Sequence, residues 1–260
     1  RNWAREGLEL FDMFREVVIE GLIATGLEPE QIEVGHVGNF VAERFCQQGL
    51  MGGFFGHVSP ELRDIPTSRH EAACASGSMA ALAAMSDIQA GHYELACVVG
   101  AELMRNVPGK VGAEYLGAAT WAGKEALDCD YPWPHMFDQL AAEYDRRYGM
   151  HYDSLKTIAR INYNNAARNP FAQSRNWTIE AGHFSDNDQL NPLIEGRMRK
   201  MDCGQITDGA ACIFLASERA ARVYAQGRGL SLNEIPYIKG WGHRSAPLLL
   251  TEKLRISAQQ

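Results

Sequence analysis

The sequence lacks any long hydrophobic run. A membrane-spanning helix needs about 20 consecutive apolar residues, and the most apolar stretch here, residues 72–85, is interrupted by Cys, Ser and Gly. Lys and Arg residues are not clustered, and the formal net charge is −7. These two features argue against a membrane-embedded protein and against a nucleic-acid partner.

An export signal and paired cysteine motifs are also missing. The chain opens with Arg1-Asn2-Trp3, and no apolar segment follows, so a signal peptide is not expected. No two cysteines form a CxxC pair, and none stands at zinc-ligand spacing from a His. We therefore expect a cytoplasmic protein with reduced cysteines and no metal or redox cofactor. The cysteines are Cys46, Cys74, Cys97, Cys129, Cys203 and Cys212.

Motifs of several other enzyme classes are absent from the sequence. Without a G-x-S-x-G elbow, a serine hydrolase is disfavoured. Gly52-Gly53 and Gly227-x-Gly229 do not stand in a phosphate-loop pattern after a strand, so neither predicts a nucleotide site.

The first hundred residues alternate between helix and strand patterns. Apolar residues three and four apart predict a helix over 11–25, and a run of small residues, Leu and Met predicts another over 74–89. Residues 32–37, 65–71 and 95–100 have strand patterns. This order predicts a layered α/β/α fold in which helices sandwich a mixed sheet.

Residues 106–202 differ in composition, being rich in Tyr, Trp, Asn and Pro. We interpret them as an insertion rather than sheet, with helices over 137–148 and 152–168. Residues 210–216 (AACIFLA) then predict another buried strand, and residues 217–225 predict the helix after it. Gly227-Arg228-Gly229 marks a boundary, beyond which a new unit begins that the remaining residues do not complete.

Residues 69–78 (RHEAACASGS) are the most informative segment. A predicted strand ends there, and Cys74 opens a helix of very small residues. A helix N-terminus carries partial positive charge and unpaired N–H groups, which favour the nucleophilic thiolate over the thiol. The residues alone leave two interpretations open, a Cys that accepts an acyl group and a buried Cys at a strand–helix junction.

The segment HEAACASGSMA resembles the nucleophile motif of thiolases, in which the Cys of a C-A-S-G sequence forms the acyl-enzyme. Other segments resemble thiolases in the same order along the chain and together cover about residues 10–225. His135-Met136 resembles the loop-domain segment whose His-Met lines the acyl pocket. The remaining matches are EPEQIEVGHVGN (28–39), GHYELACVVGAE (91–102) and DCGQITDGAA (202–211).

This resemblance implies a thiolase N-terminal domain over 1–225, with 106–202 as the loop-domain insertion and 226–260 as the start of an incomplete C-terminal domain. It implies that Cys74 attacks an acyl-CoA thioester, with CoA as substrate rather than cofactor. A second acyl-CoA, as a carbanion, then attacks the acyl-enzyme and forms a C–C bond. In the reverse direction the same steps constitute thiolysis. Residues 143–170 are most similar to the sterol-carrier-protein type of thiolase.

The sequence departs from the family because motifs of the second thiolase half are missing. We find no N-x-x-G-G, G-H-P or late C-x-G sequence, and His243 lies too early to be the activating His. Since an initiating Met is also absent, we expect a piece of a longer protein or a chain completed by an accessory subunit. The 260 residues alone are therefore not expected to catalyse the thiolase reaction.

Three functions stay open: a thiolase, a thiolase-fold aldol lyase or carbon-acyltransferase, and a non-catalytic thiolase-like subunit. His36 and His70 are expected to be structural. A solvated face is favoured over CoA-phosphate binding for the basic residues Arg105, Arg197, Arg199 and Lys200. The strand predicted over 65–71 resembles the one that pairs across the thiolase dimer, so we expect a homodimer or tetramer.

Overall fold

A computed structural model describes residues 2–257 of the chain. They form two compact units. One, called the sheet unit here, comprises residues 2–107 and 207–244. The other, called the insertion unit, comprises residues 108–206 and 245–257.

Most of the predicted elements are present, with shifted ends. The strands are β1 (Val34–Gly38), β2 (Thr67–His70), β3 (Leu95–Glu102), β4 (Leu193–Glu195), β5 (Met198–Arg199) and β6 (Gly209–Ala216). The α-helices are α1 (Leu10–Thr25), α2 (Ala42–Phe45), α3 (Phe55–Val58), α4 (Ser76–Gln89), α5 (Gly109–Leu116), α6 (Pro132–Tyr148), α7 (Tyr152–Arg168), α8 (Glu218–Gly227) and α9 (Leu250–Ser257).

The strands of the sheet unit form one mixed sheet in the order β2-β1-β3-β6. β1 runs parallel to both β2 and β3, while β6 runs antiparallel to β3. β2, which leads to Cys74, therefore lies at an edge of this sheet and has β1 as its neighbour. The prediction of a mixed sheet is confirmed.

Helices cover both faces of the sheet. On one face of the sheet, α1 buries five residues at spacings of one to four. The helix ends at Gly26, where a left-handed backbone conformation lets the Gly26 N–H donate to the Leu22 carbonyl at 2.6 Å. On the other face Ala80 and Ala84 of α4 pack against β1 and β3. The layered α/β/α prediction is therefore confirmed. The buried residues of α1 are Leu10, Met13, Phe14, Val18 and Leu22.

The prediction that β6 is buried is wrong. Its residues alternate between exposed and half-buried, and Ile213 is 47% exposed. β6 is an edge strand: Cys212 and Phe214 pack into the core beneath α1, while the opposite face is covered only in part. An apolar run cannot by itself distinguish such a strand from a central one.

The insertion unit contains α5, α6, α7, α9 and the short hairpin β4–β5. The hairpin corrects the prediction that 106–202 contains no sheet, and neither α5 nor α9 was predicted. α6 begins at Pro132 rather than at residue 137, because Pro is tolerated in the first turn of a helix. Within the described residues, no helix is both long and apolar enough to cross a membrane.

Candidate active site

Cys74 lies in a tight turn between β2 and α4. β2 ends at His70, a 3-10 turn spans Ala73–Ala75, and α4 begins at Ser76. Cys74 therefore precedes the α-helix rather than opening it, which corrects the sequence prediction by one short turn. Its side chain is exposed, so a substrate can reach the sulfur.

The backbone of this turn is fixed by its own side chains. The Glu71 carboxylate accepts the Ala73 N–H at 2.5 Å. The Ser76 hydroxyl accepts the Ala72 N–H at 3.0 Å and donates to the Ala73 carbonyl at 2.6 Å. Ala73 has a φ of +48°, in the left-handed region that costs an L residue about 1–2 kcal/mol. Strain of this kind is typical of functional sites.

The surroundings of several other cysteines disfavour their thiolate forms. Burial raises the pKa of Cys46 and of Cys203 to about 11, so both are protonated thiols at neutral pH. Cys97 and Cys212 lie in the sheet with their sulfurs 3.6 Å apart, and contact with Cys212 together with burial raises the pKa of Cys97. Cys74 is the one exposed cysteine among the described residues.

Asn39 and Glu102 form a polar cluster at the carboxyl ends of β1 and β3. The Asn39 amide donates to the Glu102 carboxylate at 3.0 Å and to the Ala101 carbonyl at 2.8 Å. The Phe40 N–H donates to the second Glu102 oxygen at 2.5 Å. β2 runs parallel to these strands, so Cys74 follows it at the same edge of the sheet, where α/β proteins usually bind ligands.

The sequence prediction missed this cluster. Both residues stand in segments that resemble thiolases, and the available signal was a polar side chain directly after an apolar strand. Burial raises the pKa of the Glu102 carboxyl to about 7, and the Phe40 N–H opposes the shift in part. A carboxyl that titrates near neutrality at a strand-end cluster can hold or release a proton at working pH.

We predict that Glu102 makes the protein less stable as pH rises. The folded-state pKa of about 7 lies above the ordinary value of 4.5, so the folded state binds the proton more tightly than the unfolded chain. The contribution of Glu102 to the free energy of unfolding is fully present below about pH 4.5. It is lost as the pH rises through 7, which lowers the free energy of unfolding by up to about 3 kcal/mol. Urea unfolding of the wild type and of Glu102→Gln at pH 5 and pH 8 measures this loss of stability.

The difference in stability between these two proteins should shift with pH in favour of Glu102→Gln at pH 8. Glu30→Gln, at an exposed position, is the matched control and should follow the wild type at both pH values. A Glu102→Gln difference that is the same at pH 5 and pH 8 would contradict the prediction.

His70 precedes Cys74 by four residues and is engaged inside the sheet unit. Its Nε2 lies 2.9 Å from the Ser68 hydroxyl and 3.0 Å from the Nδ1 of the buried His36. These contacts occupy that nitrogen, and they match the structural role expected for both histidines.

The insertion unit holds the other predicted site residues. His135 and Met136 lie in the first turn of α6, where the His135 Nε2 contacts the Gln139 amide at 2.9 Å and Met136 is buried. They belong to a different unit from Cys74, and their role in lining an acyl pocket stays a prediction.

Basic residues of the insertion unit line a cavity of about 470 Å³ and are paired with acids there. Arg197 Nε lies 2.8 Å from Asp138, and Lys156 Nζ lies 2.7 Å from Asp186. Arg199 is likewise paired, with Asp188 at 2.7 Å. Since each cation has an acidic partner, this cavity is charge-compensated rather than strongly cationic.

No group of three or more His, Cys, Asp or Glu within residues 2–257 is placed to hold a metal ion. The expectation that the protein needs no metal or redox cofactor stays a prediction. His243 lies in an exposed segment without regular structure, as expected of a residue outside the site.

Comparison with known proteins identifies the family of the chain. Residues 4–219 match the family model "Thiolase, N-terminal domain". The acetyl-CoA acetyltransferase of Methanothermobacter thermautotrophicus is 29% identical over 83% of this chain and 55% of its own length. That of Methanocaldococcus jannaschii is 26% identical over 94% of this chain and 60% of its own length. The chain thus spans little more than half the length of these relatives.

Two solved structures share the fold. A structure titled "Ltp2-ChsH2(DUF35) aldolase" has a TM-score of 0.61 at 20% identity, covering 84% of this chain and 53% of that one. The Acat5 thiolase from Ascaris suum in complex with coenzyme A has a TM-score of 0.57 at 18% identity, covering 86% and 63%. The family match over residues 4–219, most of the chain, leads to one conclusion: the chain belongs to the thiolase family and carries its N-terminal domain.

Proposed function

We propose that the protein is an acyl-CoA acyltransferase of the thiolase type, which forms or cleaves 3-ketoacyl-CoA through an acyl group carried on Cys74. The observation that carries the proposal is the exposed Cys74 in a fixed turn at the carboxyl end of β2, within a C-A-S-G sequence. The relatives named acetyl-CoA acetyltransferase support the same reaction class.

The first half-reaction follows from covalent catalysis. The Cys74 thiolate attacks the thioester carbonyl, the tetrahedral oxyanion collapses, and the C–S bond to CoA breaks, so that the CoA thiolate leaves and the acyl group stays on Cys74. The backbone N–H of Cys74, at the start of the helical segment, is the proposed donor to the oxyanion. Such a donor typically contributes about 3–4 kcal/mol to the transition state.

The complete reaction, including activation of Cys74, needs groups that the 260 residues do not supply. Motifs for an activating His, a water-holding Asn and a proton-moving Cys are absent from the sequence. We propose that they come from further residues of the same polypeptide or from an accessory subunit. We further propose that the protein forms a homodimer or tetramer joined along the β2 edge. His135 and Met136 are proposed to contact the acyl-CoA, and the proposed location is the cytoplasm.

Intact-mass measurement before and after acetyl-CoA tests the acyl-enzyme. The polypeptide is isolated from its own host, so that any part beyond the 260 residues is present. We expect a gain of one acetyl group, lost completely in Cys74→Ala. Cys129→Ala is the matched control, because Cys129 is a half-buried cysteine outside the motif, and it should keep the adduct.

The opposite result is also informative. No adduct, or an adduct that survives Cys74→Ala, would reject acyl transfer through this residue. The aldol-lyase alternative would then be favoured, since one solved structure that shares the fold is titled an aldolase. A non-catalytic subunit is the remaining alternative, because the chain spans about half of its relatives.

A further inference from the structure

The Ser76 hydroxyl reaches back past Cys74 to the two residues that precede it. It accepts the Ala72 N–H at 3.0 Å and donates to the Ala73 carbonyl at 2.6 Å. The Ser76 N–H donates to the same carbonyl. Ser76 is 4% exposed, so water has little access to its hydroxyl. One side chain therefore holds two backbone groups directly before the nucleophile.

Ser76 is itself fixed in place. It is the first residue of α4, and this end of the helix lies against the backbone of β1. The approach is close, because a Cβ added at Gly38 of β1 would lie 2.7 Å from the Ser76 carbonyl carbon and 2.5 Å from the Gly77 Cα. The hydroxyl therefore acts on the turn from a rigid support, as precise positioning of a reactive group requires.

The conformation of Ala73 depends on such support. Its φ of +48° lies in the left-handed region, which is unfavourable for a residue with a Cβ. The Glu71 carboxylate holds the peptide plane before Ala73, and the Ser76 hydroxyl holds the plane after it. A strained backbone persists where its surroundings determine it from several sides. Without the hydroxyl, the Ala73 carbonyl has one donor from Ser76 instead of two, and the Ala72 N–H loses this acceptor.

The Ala73 carbonyl and the Cys74 N–H belong to the same peptide bond. A trans peptide is planar, so its C=O and N–H point in opposite directions. Holding the carbonyl towards Ser76 thus directs the Cys74 N–H away from Ser76. This N–H is the proposed donor to the oxyanion, and it lies in the first turn of the helical segment, where N–H groups have no partner within the helix.

We propose that Ser76 is a positioning residue for acyl transfer, whose hydroxyl sets the direction of the Cys74 N–H and thereby the stabilisation of the oxyanion. In this step the S–C bond to Cys74 forms, the C–S bond to CoA breaks, and CoA leaves as the thiolate. Ser76 acts through the peptide bond and not on the substrate. The inference rests on the proposed function and deepens it, because it assigns the residue that orients the oxyanion donor.

This role has a signature that general loosening of the turn does not share. Acyl transfer passes through an oxyanion, whereas alkylation by iodoacetamide displaces iodide and forms none. Both reactions need the Cys74 thiolate. A residue that orients the oxyanion donor therefore affects acetylation much more than alkylation, whereas loss of the thiolate or of access to it slows both.

Both reactions are measured on the polypeptide produced in its own host, acetylation by intact mass and alkylation of Cys74 by peptide mass spectrometry. In Ser76→Ala we expect the maximal rate of acetylation to fall at least about tenfold, since loss of a whole oxyanion donor costs about a hundredfold or more. The acetyl-CoA concentration at half-maximal rate should change by less than about threefold, because this interaction is made in the transition state. Alkylation should stay within about threefold of the wild type.

Ser86→Ala is the matched control within the same helix. The Ser86 hydroxyl also donates to a backbone carbonyl, that of Leu82 at 2.9 Å, but Ser86 is exposed and lies ten residues further along α4. Its replacement should leave both rates at the wild-type values. Loss of a hydroxyl-to-carbonyl bond from α4 is thereby separated from loss of the Ser76 bonds to the turn.

A crystal structure of the acetylated wild type gives a second readout that needs no variant. The acetyl oxygen should accept the Cys74 N–H at about 2.7–3.1 Å, with the Ser76 hydroxyl on the Ala73 carbonyl. An acetyl oxygen turned away from this N–H would overturn the inference. Equal acetylation of Ser76→Ala and the wild type would overturn it as well, and so would equal losses of acetylation and alkylation. Absence of any acetyl adduct in the wild type would reject the proposed acyltransferase itself, and this inference with it, so the two failures are distinguishable.

Discussion

Replacing Asp208 with Ala is expected to lower the free energy of unfolding by about 3–5 kcal/mol. Asp208 precedes β6, and its side chain is fully buried. One carboxylate oxygen accepts the N–H groups of Met104 and Arg105 at 2.9 and 2.8 Å, and the other accepts the Ala4 N–H at 3.1 Å. The residue therefore joins three separate segments of the sheet unit.

The loss is large because the donors stay behind. A hydrogen bond to a charged group contributes about 1.5–3 kcal/mol, and an unpaired buried donor costs about 1–3 kcal/mol. The Ala side chain leaves three backbone N–H groups without this acceptor in a space that it does not fill. Asp208→Asn, which keeps one acceptor oxygen, should lose less than Asp208→Ala.

Chemical denaturation followed by tryptophan fluorescence measures the change. Asp64→Ala is the matched control, because Asp64 is exposed and such substitutions usually change stability by less than about 0.5 kcal/mol. A loss below about 1 kcal/mol in Asp208→Ala would mean that the three N–H groups find other partners, and would contradict the prediction.

Asp208 also illustrates how far the sequence predicts the fold. The segment around it resembles thiolases, but its partners lie about 100 and 200 residues away, and no local pattern indicates them. Elements whose signal is local were predicted closely, as for α7, which spans Tyr152–Arg168. β6 was placed correctly but assigned the wrong burial, because exposure of a strand depends on which elements lie beside it.

The same difference between local and long-range signals applies to the candidate site. The position of Cys74 between a strand and a helix of small residues was predictable because these elements are consecutive in sequence, whereas the short turn that separates Cys74 from the α-helix was not predicted. The Asn39–Glu102 contact was not, since it joins the ends of two strands that are adjacent only in the folded sheet. The contact of the buried His36 with Asp87 likewise depends on α4 folding back over β1.

Replacing Gly38 with Ala is expected to affect both stability and acylation. A Cβ at this position would lie 2.5 Å from the Gly77 Cα and 2.7 Å from the Ser76 carbonyl carbon. These are backbone atoms, so relief requires β1 and α4 to separate. Overpacking of this kind costs about 1–3 kcal/mol. The helix that moves begins two residues after Cys74, and a displacement of about 1 Å can reduce catalysis about a hundredfold.

We therefore expect Gly38→Ala to be destabilised in urea and to acquire the acetyl group from acetyl-CoA at least about tenfold more slowly. Gly77→Ala is the matched control for the packing step, because a Cβ there meets no atom within 4 Å and Ala is the better helix former. Gly53→Ala, also in open space, controls for glycine replacement away from the contact. If Gly38→Ala had wild-type stability but slow acetylation, the substitution would act on the position of Cys74 and not on folding. Wild-type values for both would show that the sheet and α4 tolerate a wider spacing, and would contradict the prediction.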